Sequence, residues 1–281
     1  MTPWLAIVGI GEDGLDGAAP AGRRLIEQAE VLVGGARHLA MVPADHPAES
    51  LGWESPLENT VAAILERRGS RVCVLATGDP MWYGIGVILA RAVPAGERVI
   101  VPAPSAFSLA CARLGWPLAE IETLTLHGRP PALVESFVQP GARLLILSDG
   151  AETPGTVAEL LRARGYGDSR LTVLEHMGGE RERIWTGFAR DWAASGVAPF
   201  NTLAVECLAG PDAALLPRVP GLPDEAEAVE AAVAGAIEGG IMTADLGGSS
   251  AADTWQAGSA VVERLSHASS DSLRRDGARQ T

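Results

Sequence analysis

The sequence predicts an α/β protein in two halves, the first on a mostly parallel sheet and the second on a mixed sheet. Three observations predict it. Short apolar runs alternate with helical patterns as far as Leu114. Most of those runs close on glycine, proline or a hydroxyl residue. After Trp116-Pro117, strand-like runs follow one another across short turns, with one clear helix among them. Strand–helix alternation builds parallel sheets, whereas strands joined by short turns pair antiparallel.

Taken in order, Trp4–Gly9 reads as a buried strand ending in a glycine loop, and a helix follows over about Ala21–Ala29. Glu30–Gly34 is a second strand, Thr60–Arg68 a helix, and Arg71–Ala76 a third strand that runs into Thr77-Gly78-Asp79-Pro80. A helix of small and apolar residues covers Gly84–Ala92, and Arg98–Val101 is a fourth strand. Ala106–Leu114 is a helix closed by Gly115. The second half carries strands at Glu122–Leu126, Arg143–Leu147, Leu171–Glu175, Arg183–Thr186 and Thr202–Cys207, with a helix at Thr156–Arg164. Pro217–Pro223 is a linker by composition. Beyond it stand an alanine-rich helix at Glu225–Ile237, a Gly/Ser-rich stretch, a last helix near Gln256–Leu265, and a polar tail from Ser266 that predicts disorder. The expected division is therefore 1–116, 117–222, a helical extension over 223–265, and a tail over 266–281.

Composition narrows the function. A formal net charge of −13 over 281 residues leaves no basic stripe to neutralise phosphates, so nucleic acid is not an expected partner. Cys73, Cys111 and Cys207 are odd in number, far apart and without C-x-x-C spacing, which predicts reduced core thiols and no zinc site. No apolar run approaches a membrane span, and Met1–Trp4 has no leader pattern, so a cytoplasmic protein is expected.

Parallel sheets bind ligands beyond the carboxyl ends of their strands, which directs attention to three loops. Gly9-Ile10-Gly11-Glu12-Asp13-Gly14 matches the G-x-G-x-x-G pattern of dinucleotide folds, with Glu30 placed as a ribose acid. Against that reading, Leu15–Pro20 separates the loop from the helix, and Glu12 and Asp13 would repel a diphosphate. Thr77-Gly78-Asp79-Pro80 reads either as a plain turn or as a ligand loop, in which Gly78 allows close approach and Asp79 accepts from an amine or hydroxyl.

The ordered combination of a glycine loop after the first strand, Gly-Asp-Pro after the third and Val-Pro-x-x-Ser after the fourth resembles the tetrapyrrole (corrin/porphyrin) methylase family. Leu126-His127-Gly128-Arg129-Pro130, Leu145–Gly150, and Glu175-His176-Met177-Gly178-Gly179 before Glu182-Arg183-Ile184 are similar to the branch that methylates C5 of a corrin precursor. The resemblance covers about residues 1–222. It implies a class III methyltransferase dependent on S-adenosylmethionine (SAM), a precorrin substrate in cobalamin synthesis, and a homodimer. It places Thr77, Gly78, Asp79, Trp82, Ser105 and Ala106 beside the cofactor, with Asp149 and Leu203 near its adenosine. Gly9, Gly11 and Gly14 would line the tetrapyrrole trough. Glu12 departs from the proline frequent at its position.

His127 reads as a structural hydrogen-bonding group or as a proton acceptor. Arg129 suits a substrate carboxylate, with Arg37 and Arg181 as weaker candidates. No second nucleotide loop follows residue 222. Residues 227–265 instead resemble a carboxyl-terminal segment of isopropylmalate/tartrate dehydrogenases without their catalytic core. C5 methylation alone is therefore expected, with C15 methylation and decarboxylation left to a separate protein. Methylation at another ring position, a catalytically inactive tetrapyrrole- or SAM-binding protein, and a nicotinamide oxidoreductase stay open at this point.

Overall fold

The computed structural model describes residues 3–193, 195–214, 223–239 and residue 261. The first sheet contains β1 (Leu5–Ile10), β2 (Val31–Gly34), β3 (Glu49–Gly52), β4 (Val72–Thr77) and β5 (Arg98–Val101), in the order β3-β2-β4-β1-β5. Every pairing in it is parallel. Alternate residues of each strand feed opposite cores. Leu5, Ile7, Val31, Val33, Val72 and Val74 pack on one face, and Ala6, Val8, Ile10, Leu32, Cys73 and Leu75 on the other. Burial on both faces explains why these strands read as continuous apolar runs.

The helices of this half are α1 (Gly14–Gly17), α2 (Pro20–Glu27), α3 (Ala36–Leu39), α4 (Leu57–Glu66), α5 (Ile85–Ala92) and α6 (Ala106–Leu114). Pro20 opens α2, where a missing N–H costs nothing. Ser105 caps α6 by accepting the N–H of Ser108, and Gly115 closes that helix at φ 67°.

The second sheet contains β6 (Glu122–Thr125), β7 (Arg143–Leu147), β8 (Arg170–Glu175), β9 (Arg183–Phe188) and β10 (Asn201–Glu206), ordered β6-β7-β10-β8-β9. Only β6 with β7 is parallel; the other three pairings are antiparallel. One face of this sheet packs on α7 (Thr153–Ala163) through Leu144, Ile146, Leu171, Val173, Leu203 and Val205. The opposite face meets α6 through Leu145, Leu174 and Ala204 against Phe107, Ala110 and Cys111. The helix α6 is thus the joint between the two sheets, and the site lies beside it.

The predicted mixed α/β architecture is observed. Helix starts lie a few residues ahead of several predicted ones, as at Leu57 rather than Thr60 and Thr153 rather than Thr156. The edge strand β3 was not expected. Its residues Glu49, Ser50, Leu51 and Gly52 are mostly exposed, so no apolar run announces it. The alanine-rich helix is α8 (Pro223–Glu238). Most of the 217–223 linker, the Gly/Ser-rich stretch, the 256–265 helix apart from residue 261, and the 266–281 tail lie outside the described residues. No described helix is long and apolar enough to cross a membrane.

Candidate functional site

In the first sheet, β1 leads by its crossover toward β2, and β4 leads across β1 to β5. Connections leaving neighbouring strands in opposite directions open a crevice at their carboxyl ends. The Gly11 loop and the Thr77–Asp79 turn stand at that point. A cavity of about 600 Å³ occupies the crevice and extends to the second sheet. Its apolar wall includes Leu75, Trp82, Phe107, Leu147 and Met177, and its polar wall includes Thr77, Asp79, Ser105, Thr125, Asp149 and Asn201. Such a size and mixture suit one medium-sized amphiphilic ligand.

Of the residues expected at the site, Gly11, Thr77, Gly78, Asp79, Trp82, Ser105, Ala106, His127 and Asp149 line this cavity. Gly78 takes φ 57°, and a Cβ there would stand 3.0 Å from the Pro104 carbonyl oxygen, so glycine lets the β4 and β5 ends close on each other. One Asp79 carboxylate oxygen accepts the Met81 N–H at 2.9 Å. Trp82 leans on Phe107 at 5.6 Å between ring centroids.

Four expected residues lie elsewhere. Leu203 is fully buried in the core beneath α7, because alternation along β10 turns Thr202 toward the cavity and Leu203 away. Gly9 is a packing glycine rather than a trough residue. A Cβ there would fall 1.9 Å from the Gly78 carbonyl oxygen and 2.5 Å from the Ala103 nitrogen. Gly14 takes φ 61° and accompanies the turn that closes on Gly11, with Met41 as its neighbour. Arg129 stands outside the cavity, over the Tyr83 ring at 5.7 Å, in a shallower recess with Met81, Val87 and Ile88.

Sequence reasoning does not reveal a charged cluster that reaches Thr77 on the cavity wall. Glu12 has a side chain only 7 % exposed, and it pairs with Arg37 through one oxygen and with His176 Nδ1 at 2.8 Å through the other. Burial alone would raise the Glu12 pKa. The His176 hydrogen bond and the Arg37 charge outweigh it and hold the carboxyl below its ordinary value. Arg37 also donates to Thr77 Oγ1 at 3.0 Å and stacks on Phe200 at 4.3 Å. His38 meets Thr77 Oγ1 at 3.0 Å. Burial and the adjacent Arg37 push its pKa down to about 4, so it is neutral. A second tie between the sheets is bidentate, from Arg113 of α6 to Glu182 at 2.7 and 2.8 Å. Glu182 also accepts the Gly178 N–H, and these bonds hold its pKa at about 2.

The charged residues lining the cavity are carboxylates, with no arginine or lysine among its described lining residues. Arg37 neutralises Glu12, which leaves Asp79 and Asp149 as the acidic groups open to a ligand. Such a lining favours a cationic ligand and opposes a diphosphate. The glycine loop opposes it too: α1 is a single turn, and α2 starts only at Pro20, so no long helix points its amino end at the loop.

Comparison with known proteins agrees. Residues 5–193 match the family model described as Tetrapyrrole (Corrin/Porphyrin) Methylases. A Sinorhizobium sp protein named precorrin-6Y C(5,15)-methyltransferase [decarboxylating] is 45 % identical over 80 % of this chain and 54 % of its own length. A Salmonella typhimurium protein named cobalt-precorrin-7 C(5)-methyltransferase is 32 % identical over 64 % of this chain and 88 % of its own. Among solved structures, a precorrin-6Y methylase from Archaeoglobus fulgidus superposes with a TM-score of 0.54 at 26 % identity, over 73 % of this chain and 98 % of the other. The chain thus spans about half the length of the C(5,15) relatives it matches.

Proposed function

This chain belongs to the tetrapyrrole (corrin/porphyrin) methylases, and from that premise we propose that it transfers a methyl group from SAM to C5 of a precorrin in cobalamin biosynthesis. C5 methylation is the activity common to the names of both kinds of relative, and the C5 relative is the one matched over nearly its whole length. We assign C15 methylation and decarboxylation to a separate protein. The same reading has the chain act as a homodimer in the cytoplasm, where its three buried free cysteines suit a reducing compartment.

The observation that carries this reading is the carboxylate-lined cavity at the strand-order reversal. When bound there, SAM supplies an electrophilic methyl carbon on a sulfonium. Asp79 accepts from the ligand's ammonium with the oxygen that Met81 leaves free. Thr77, Gly78, Ser105 and Ala106 bring backbone close to that end, and Trp82 covers it. Asp149, Asn201 and Thr202 offer polar groups to the adenosine from the second sheet, the role expected of Leu203 falling to its neighbours. Gly11 and the Glu12 cluster face the macrocycle. Arg129 and Arg181, exposed outside the cavity, answer its carboxylates. The protein's main contribution is proximity and orientation, worth roughly 7–11 kcal/mol in well-oriented systems.

Calorimetry tests the cofactor assignment. S-Adenosylhomocysteine should bind and NAD should not, and Gly78→Val should lower the affinity at least about tenfold by driving a branched side chain into the Pro104–Ser105 backbone. Binding of NAD in place of S-adenosylhomocysteine would return the glycine loop to the dinucleotide reading.

A further inference from the structure

Transfer of a methyl cation equivalent to a conjugated C–H carbon is not charge-neutral for the acceptor. The carbon's π pair forms the new C–C bond, and the pair of the broken S–C bond stays on sulfur. The macrocycle then carries one additional positive charge until a proton leaves the methylated carbon or a conjugated ring N–H. The expected acceptor, His127, sits at the cavity rim with its side chain 82 % exposed and its Nδ1 3.3 Å from Asp149.

His176 is built differently. Its side chain is 13 % exposed, it lines the same cavity, and its Nδ1 lies 2.8 Å from a buried carboxylate. It is one of two non-glycine residues with positive φ among the described residues, at 47°. Histidine tolerates that region better than most side chains, but a residue held there marks a constraint imposed by its surroundings. Phe200 flanks the ring at 5.7 Å, and the Phe200 carbonyl accepts the His176 N–H. Ring, carboxylate and backbone thus fix one orientation.

Resting on the methylase reading above, we infer that His176 is the general base that removes this proton, and that Glu12 is its positioning residue. Ionised Glu12 can only accept a hydrogen bond, so His176 Nδ1 carries the hydrogen and the lone pair of the neutral ring lies on Nε2. Nε2 has no hydrogen-bond partner among the described residues. It takes the proton, and the imidazolium that forms is stabilised by the Glu12 carboxylate beside it. The other charged or titratable groups facing this pair are Arg37 and Arg181 on Glu12, with His38 behind Arg37. Glu182, nearby in the same loop, is held by Arg113 and the Gly178 N–H. Sequence position hid the pair, since 164 residues separate its members.

The test uses His176→Gly, because glycine accepts the positive φ without strain and leaves room for a small base. The wild type should show kcat/KM rising with pH along a single ionisation to a plateau. The variant should lose about 10²-fold or more in kcat, lose that limb, and regain activity with added imidazole. Calorimetry should show S-adenosylhomocysteine binding retained, which separates lost chemistry from lost folding. Nitrogen-15 NMR of the histidines, which needs no turnover, should find His176 as the Nδ1–H tautomer in the wild type and altered in Glu12→Gln. A His176→Gly variant that keeps its rate and pH limb would overturn the inference and leave the methylase reading standing. So would a limb that disappears in His127→Ala instead, or an Nε2–H tautomer in the wild type. A wild type that neither binds S-adenosylhomocysteine nor methylates would remove the reading and the inference together.

Discussion

Gly9→Ala is expected to cost about 3 kcal/mol or more of stability, beyond what a single added methyl usually costs in a packed region. Gly9 is the next-to-last residue of β1, between the ends of β4 and β5. There the Gly78 carbonyl accepts the Ala103 N–H at 3.1 Å, and a Cβ at position 9 would sit 1.9 Å from that same oxygen. The obstacle is backbone, not the end of a flexible side chain, so the loop must move and the hydrogen bond must break. Because Gly78 is also cavity wall, the displacement carries into the ligand site. Thermal unfolding should show a fall in Tm of roughly 10 °C, and calorimetry should show S-adenosylhomocysteine affinity reduced along with it. An alanine variant as stable as the wild type would mean that β1 does not end as described.

Glu175→Ala is the second large effect, expected at about 3 kcal/mol because it removes a buried carboxylate and strands two part-buried donors. The Glu175 side chain is 1 % exposed. It accepts from Arg183 Nε at 2.8 Å, Trp185 Nε1 at 3.0 Å and the Ala198 N–H at 2.7 Å. Arg183 reaches solvent and can rehydrate, whereas the indole and amide donors are part-buried and lose their acceptor. Burial pushes the Glu175 pKa up, but those three donors and the Arg183 charge pull it further down, below the ordinary carboxylate value. With the folded pKa depressed, the group's contribution is present above the unfolded carboxylate range and is lost as pH falls through the folded value. Glu175→Ala should therefore be less stable than the wild type at neutral pH, with the gap narrowing in acid. Denaturant unfolding at both pH values checks this. The effect extends to the site, since Ala198 leads into Pro199, Phe200, Asn201 and Thr202, all on the cavity wall.

The sheets were legible because their physics is local. Runs such as Leu5–Ile10 and Val72–Thr77 are apolar throughout since both faces are covered, and the turn residues after them mark the ligand side. The same loops led to Thr77, Gly78, Asp79 and Ser105. Where the reading went astray, the missing information was directional or long-range. Leu203 lies on the right strand but the wrong face, a distinction set by register against β7 and β8. Gly9 is expected in the tetrapyrrole trough, but its neighbours Gly78 and Ala103 become visible only once three strand ends are brought together. Glu12 stood out as a departure from proline, yet nothing local pairs it with His176 from the other half of the chain. The exposed edge strand β3 carries no hydrophobic signal at all.

The central claim is tested most directly by incubating the protein with a precorrin and SAM labelled with carbon-13 in its methyl group, then locating the label by NMR. The account predicts one labelled methyl, at C5, with no loss of carbon dioxide from the macrocycle. Label at another ring carbon, label at both C5 and C15, or no transfer by a protein that binds S-adenosylhomocysteine would contradict it.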